Sequence, residues 1–294
     1  MPDAKKTSLP VAYQSHGRAW HDLIYCYPVV SRRSGGLSIG INLNPDKACN
    51  FDCIYCQVDR TTPGTAKKVD LAVVATELDR LLDAALDGSL WVESPFDSVT
   101  EANRRVCDIA FSGDGEPTTY PEFAEAVQLA AVARKRRNLS DTKLVLITDA
   151  CYLNKPNVRR GLSILDENNG EIWAKLDAGT QAYYELVNRP NFPLSHVMKN
   201  ITEVAQERAV VIQSLWMRVH DEPPPSVELL AYCERLNEVL AAGGKLKLIQ
   251  LYTIARKTTE AYAKPLEDAE LDAIARVVRE RVKCPIETYY GVAG

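Results

Sequence analysis

The sequence predicts an α/β chain folded as a partial (β/α)6 barrel, TIM-like in its alternation of strand and helix but short of a closed ring. Two observations carry this. β-rich runs at residues 37–42, 108–112, 143–149, 171–177, 210–218, 245–253 and 286–290 alternate with helical patterns at 69–86, 121–136, 194–208, 226–242 and 266–282, whose apolar residues recur every three or four positions. A complete barrel of eight pairs takes roughly 250 residues, whereas these 294 residues hold six to seven units separated by long loops. The ring is therefore expected to stay open, with a doubly wound sheet as the alternative.

Each element follows from local chemistry. Strands joined through helices run parallel, and their crossovers are right-handed. Pro121 suits a first helical turn, and Gly243-Gly244 stands where a helix should stop. In the fourth strand Ile172, Ala174 and Leu176 share one face while Trp173, Lys175 and Asp177 share the other. No linker, repeat or low-complexity tract divides the chain, so residues 1–26 are expected as an N-terminal extension and 27–294 as a single domain. In either architecture ligands bind at the carboxyl ends of the strands.

Composition narrows the class. With 46% hydrophobic and 25% charged residues and a net charge of −4, the chain is an ordinary globular one, which excludes disorder, collagen and coiled coil. No run approaches 18 apolar residues, and residues 1–17 carry no apolar signal core. A cytoplasmic location without a membrane partner is the expectation. In a reducing compartment the eight cysteines read as ligands, nucleophiles or buried small hydrophobes.

Their distribution is uneven. Cys49, Cys53 and Cys56 form C-x3-C-x2-C directly after the first strand. Three thiolates within eight residues can converge on one inorganic centre. A structural zinc wants four ligands, and no fourth is local: the next cysteine is Cys107, and no histidine lies between His21 and His196. A [4Fe-4S] cube held by three cysteines keeps one iron open to an external ligand, as chemistry at the cluster requires. A zinc loop stays as the competing reading.

At this motif, with Tyr55 before the last cysteine, the sequence resembles the radical S-adenosylmethionine (radical SAM) superfamily, whose signature is C-x3-C-x-aromatic-C. The resemblance implies a partial barrel of the radical SAM type, a [4Fe-4S] cluster on Cys49, Cys53 and Cys56, and S-adenosylmethionine as the second cofactor, cleaved to a 5′-deoxyadenosyl radical that takes hydrogen from a substrate. It also implies a reductant such as flavodoxin or ferredoxin. The string FSGDGEPT, residues 111–118, resembles the family's Gly-Gly-Glu-Pro element, with Asp114 in place of the first glycine. By that likeness Gly113, Asp114, Gly115 and Glu116 surround the amino group of S-adenosylmethionine; an ordinary turn is the other reading. Tyr55 is expected beside the adenine. Lys175, Asp177 and Ser214 are expected to meet its ribose and carboxylate, and Tyr252 to pack on the adenine. A buried Lys175–Asp177 pair that only holds the barrel is the alternative.

Further strings, AKLDAGTQAYYELVNR and QLYTIAR, are similar to those of bacterial Fe-S oxidoreductase-like radical SAM proteins related to the wyosine synthases. The substrate this suggests is a tRNA nucleoside, with a small metabolite or peptide as the alternative. Wyosine synthases use pyruvate on a lysine, a role open to Lys175, and carry a second cluster on N-terminal cysteines; here only Cys26 precedes the triplet. Arg218 and His220 stand where a substrate group would lie, or in a surface loop. Cys151 is a hydrogen donor, a second ligand or a buried thiol. The cations of residues 134–137, 155, 159 and 160 are helix caps or a local polyanion patch.

Overall fold

The central strands are apolar on both faces along much of their length because both faces of the sheet are covered, one by helices and one by the sheet's own curl. The computed structural model describes residues 20–291. A hairpin of β1 (Cys26–Ser31) and β2 (Gly36–Ile41) opens the sheet, and β1 is its antiparallel edge. β3 (Val106–Phe111), β4 (Lys143–Thr148), β5 (Gly170–Lys175) and β6 (Val210–Leu215) follow; after the short β7 (Met217–Val219) come β8 (Leu246–Tyr252), the short β9 (Ala263–Pro265) and β10 (Ile286–Tyr289). The eight-stranded order is β1-β2-β3-β4-β5-β6-β8-β10, parallel from β2 onward.

Helices cover the outside: α1 (Leu71–Asp87), α2 (Phe123–Arg136), α3 (Pro156–Asp166), α4 (Gln181–Asn188), α5 (Leu194–Glu207), α6 (Ser226–Ala241) and α7 (Asp268–Arg281). The outer residues Ile109, Phe111, Leu144, Leu146, Ile172, Ala174 and Ile212 join the main core with them. The inner residues Ala110, Val145, Trp173 and Val211 form a separate small cluster inside the curl. Six strands of the parallel run are each followed by at least one helix before β10, so the sheet is a half-barrel and the doubly wound alternative is set aside.

Several elements escaped the sequence pattern. β1 contains Pro28, which discourages a strand assignment but is tolerated on an edge. α3 starts at Pro156, and α4 has only eight residues, begun by Thr180, whose Oγ1 accepts from Tyr183 N at 3.2 Å. The run at 210–218 breaks at the fully buried Trp216, and β7 pairs instead with β9. Leu23, Tyr25 and Cys26 are core residues, and residues 1–19 of the expected N-terminal extension lie outside the described residues.

Two side chains do work that no sequence pattern announces. Glu77 of α1, 5% exposed, accepts from Ile24 N, Tyr25 N and Cys26 N, each at 2.8 Å, and so fastens the start of β1. Arg32, at the hairpin tip, donates to Tyr290 O beyond β10. Glu77→Ala leaves three backbone donors without their acceptor and is expected to cost roughly 2–4 kcal/mol. A urea titration should show a lower midpoint at unchanged slope; an unchanged midpoint would mean that β1 docks by packing alone.

Candidate active site

A cavity of about 340 Å³ opens inside the curl at the carboxyl ends of the strands. Cys49, Cys53, Cys56, Tyr55, Gly113, Asp114, Gly115, Glu116, Lys175 and Tyr252 all line it. Ser214 does not. In β6 the residues facing the curl are Val211 and Gln213, and strand alternation sends Ser214 outward, where its Oγ meets Tyr232 Oη of α6 at 2.6 Å. The expected contact of Ser214 with a cofactor is therefore corrected: it is an outer packing residue.

The cysteine loop follows β2 and is laced by backbone to the end of α4. Asp52 N donates to Asn188 O at 3.1 Å, Ile54 N to Val187 O at 3.0 Å and Asn191 N to Asn50 O at 3.2 Å. α4 stops because Arg189 takes a left-handed conformation, with φ 43°, and Pro190 follows. Arg189 in turn pairs with Asp52 at 3.1 Å and Glu260 at 2.8 Å. On the other side Thr259 N reaches Cys56 O at 3.0 Å.

Each of the three sulfurs has a donor nearby. Asn188 Nδ2 lies 3.4 Å from Cys53 Sγ, Val58 N 3.4 Å and Arg60 Nη2 3.7 Å from Cys56 Sγ, and the backbone at Phe51 hydrogen-bonds Cys49. Burial pushes the Cys49 thiol up to about 11 and the Cys53 thiol up to about 12. Donors aimed at buried sulfurs suit thiolates, and a cationic centre would reverse the penalty that keeps these thiols protonated. Among the described residues, no group of three or more His, Cys, Asp or Glu side chains is gathered tightly enough to hold a single metal ion.

The Gly-Asp-Gly-Glu loop packs directly on the cysteine loop. A Cβ on Gly115 would stand 1.9 Å from Ala48 O, so only glycine permits this approach. Asp114 has a holding role: its Oδ2 accepts from Asn42 Nδ2 at 2.8 Å and its N donates to Asn42 Oδ1 at 3.1 Å. Arg60 bridges both loops through Lys47 O and Asp114 O. Glu116, 3% exposed, accepts from Thr118 N at 3.0 Å, Thr148 Oγ1 at 2.7 Å and Asp149 N at 2.7 Å, tying β3 to β4. Beside it Asp149 is also buried; burial and then the Glu116 charge hold its carboxyl well above the usual carboxylate range.

A second network stands on β5. Asp177 Oδ1 is 3.0 Å from Lys175 Nζ and accepts from Leu215 N at 2.8 Å; its Oδ2 takes the Tyr55 hydroxyl and Asn188 Nδ2, the latter at 3.1 Å. Lys175 also donates to Tyr252 Oη at 2.6 Å. Burial opposes its charge, but Asp177 and Tyr252 outweigh that and hold Lys175 above the ordinary lysine range. An amine held as ammonium is not a nucleophile, so this arrangement supports a cation at Lys175 rather than an imine-forming group.

The remaining candidates sit elsewhere. Cys151 is fully buried, and its carbonyl gathers His196 Nε2 at 2.8 Å and Asn200 Nδ2 at 2.9 Å. Arg218 is paired with Glu270, and the His220 ring stacks on Tyr262. Arg136 and Arg137 pair with Asp79, Arg159 with Glu207 and Arg160 with Glu125. The polyanion patch is thus largely neutralised by its own carboxylates. Asn42, Arg60, Asp149 and Asn188 carry roles that spacing did not reveal; the asparagine before Arg189-Pro190 was the available signal.

Gly115→Ala should push the two loops apart. Alkylation of Cys49, followed by mass spectrometry, is expected to run about tenfold faster through local opening; an unchanged rate would show that the loops absorb the methyl group.

The chain is 26% identical over 262 residues to a protein named GTPase Obg of Brachyspira hyodysenteriae, covering 88% of this chain and 34% of that one. It is 24% identical over 246 residues to a UPF0026 protein of Helicobacter pylori, covering 82% and 69%. In structure it is similar to SuiB of Streptococcus suis bound to S-adenosylmethionine, with TM-score 0.58, 13% identity and coverage of 88% and 52%. It is also similar to a spore photoproduct lyase mutant with dinucleoside spore photoproduct, with TM-score 0.56, 11% identity and coverage of 92% and 80%. The chain thus spans about a third of the Brachyspira relative and about half of SuiB. The model of the radical SAM superfamily matches residues 43–217, more than half of the chain, and this shows that the chain belongs to that superfamily.

Proposed function

We propose that this enzyme holds a [4Fe-4S] cluster on Cys49, Cys53 and Cys56 and uses it to abstract hydrogen from a nucleoside, most simply one presented by tRNA. The observation that carries the first half is the convergence of three sulfurs, each with its own hydrogen-bond donor, on the cavity that also holds Glu116 and Asp149. When bound, a cluster with one open iron supplies the electron that cleaves S-adenosylmethionine to methionine and a 5′-deoxyadenosyl radical. The zinc reading has less support, since a structural zinc wants four protein ligands and this loop offers three.

The chain's own groups divide the remaining tasks. Glu116 and Asp149 offer two buried carboxylates to an ammonium, and a cation there would offset the burial and the Glu116 charge that together raise Asp149. Lys175 supplies the positive charge for a carboxylate or hydroxyl. Aromatic walls at Tyr27, Trp173, Tyr252 and Tyr289 suit a flat ring. That supports a nucleobase, as does the likeness to the lyase that holds a dinucleoside. With the outer cations paired, an RNA would be gripped at the mouth, where Arg60 and Arg256 line the cavity. A flavodoxin or ferredoxin in the cytoplasm would serve as reductant.

Anaerobic reconstitution with iron and sulfide, then S-adenosylmethionine and dithionite, is expected to release 5′-deoxyadenosine. A fully loaded protein that never yields it overturns the reading. Cys49→Ala, Cys53→Ala or Cys56→Ala should abolish cluster absorbance while thermal melting of the apoprotein stays within a few degrees. Bulk tRNA should shift the protein in a gel at low salt and release it as salt rises. If 5′-deoxyadenosine forms but no tRNA binds, the substrate is a free small molecule.

A further inference from the structure

We infer that Asn188 is a positioning residue that sets the reduction potential of the centre on Cys53, an inference that rests on the cluster reading above. Its amide is buried, 1% exposed, with Nδ2 3.4 Å from Cys53 Sγ, 3.2 Å from Tyr55 Oη and 3.1 Å from Asp177 Oδ2. The orientation of that amide is not arbitrary. An ionised carboxylate only accepts, so the Asp177 oxygen requires the nitrogen side of the amide to face this group of acceptors. The backbone prevents retreat, because Asn188 O and Val187 O are held by Asp52 N and Ile54 N of the cysteine loop itself.

Two N–H bonds thus serve three acceptors, and the share given to sulfur grows with the charge on that sulfur. When one electron enters the cluster from dithionite or a low-potential flavin or iron–sulfur protein, the sulfurs become more negative while no bond breaks and no proton need move. An N–H aimed at the sulfur stabilises this reduced state and raises the potential. The effect is largest where solvent is excluded. Asn188 meets that condition, whereas Arg60 at Cys56 is partly exposed and its 3.7 Å contact is longer. The same amide touches Asp177 and Tyr55, and Asp177 holds Lys175, so a charge bound at Lys175 is also relayed to the Cys53 sulfur through Asp177 and Asn188.

The test is a redox titration of the reconstituted full-length protein, followed by the electron paramagnetic resonance signal of the reduced cluster, in wild type, Asn188→Ala and Asn188→Leu. Leucine keeps the branched shape of the side chain while removing both N–H donors, so it covers the case in which alanine fails to fold. Both variants are expected to shift to a more negative midpoint, with about a tenfold fall in the ratio of reduced to oxidised cluster at fixed potential, equivalent to about 59 mV for one electron. A full cluster with the wild-type midpoint in Asn188→Leu overturns the inference. So does loss of iron from a variant that melts normally, which would make Asn188 an assembly residue instead. Wild-type protein that takes up no iron overturns the cluster reading itself, a separate and visible failure.

Discussion

A carboxylate removed from water must be surrounded by donors, and the site is organised by that requirement at Asp177, which is 2% exposed. It sits just past the end of β5 and draws in a lysine from the same strand, a backbone N–H at the end of β6, a tyrosine from the cysteine loop and an asparagine from α4. Four separate stretches of chain are therefore placed relative to one another by one acidic group. The ion pair with Lys175 is weak evidence for stability as such, since burying both charges costs much of what their attraction returns. The geometric effect lies in the neutral donors: the loop bearing the three thiols cannot drift from the barrel without withdrawing the Tyr55 hydroxyl from Asp177.

The close approach of the two ligand-facing loops is the second element of the design. Glycine at 115 lets the loop after β3 lie on the backbone at Ala48, and Asn42 and Arg60 then close the seam from either side. Behind α4, Gly179 plays a similar part, since a Cβ there would stand 2.0 Å from Tyr232 N. Glu228 of α6 holds the adjoining Thr180 through its hydroxyl at 2.6 Å. Helix α4 is thereby fixed at both ends, which is why an asparagine at its last position meets a sulfur on another loop.

Much of this was legible in the sequence. The parallel strands stood out because their outer faces are mostly apolar, and the cysteine triplet because its spacing is rare by chance. β1 was obscured by Pro28, and α3 and α4 by their brevity, since eight to eleven residues leave little periodicity to read. Ser214 was misplaced for a simpler reason: the break at Trp216 hid where β6 ends, and with it which of its residues face inward. Of the side-chain partners of Asp177 only Lys175, two positions away on the same face, was legible. Tyr55 and Asn188 lie 122 and 11 positions from it, and only the fold brings them together.

The sheet ends in two edges, β1 and β10, that share no ladder. What spans them is side chain: Arg32 on Tyr290 O, and Arg33 laid over the Trp173 and Tyr252 rings at 5.6 and 5.1 Å. Elsewhere the wall is a continuous weave of backbone bonds that part only together. Along this one line the enclosure is fastened as a garment is by a clasp. Two long guanidinium groups hold this line, so a substitution at Arg32 or Arg33 would loosen the enclosure without breaking a single rung of a strand ladder.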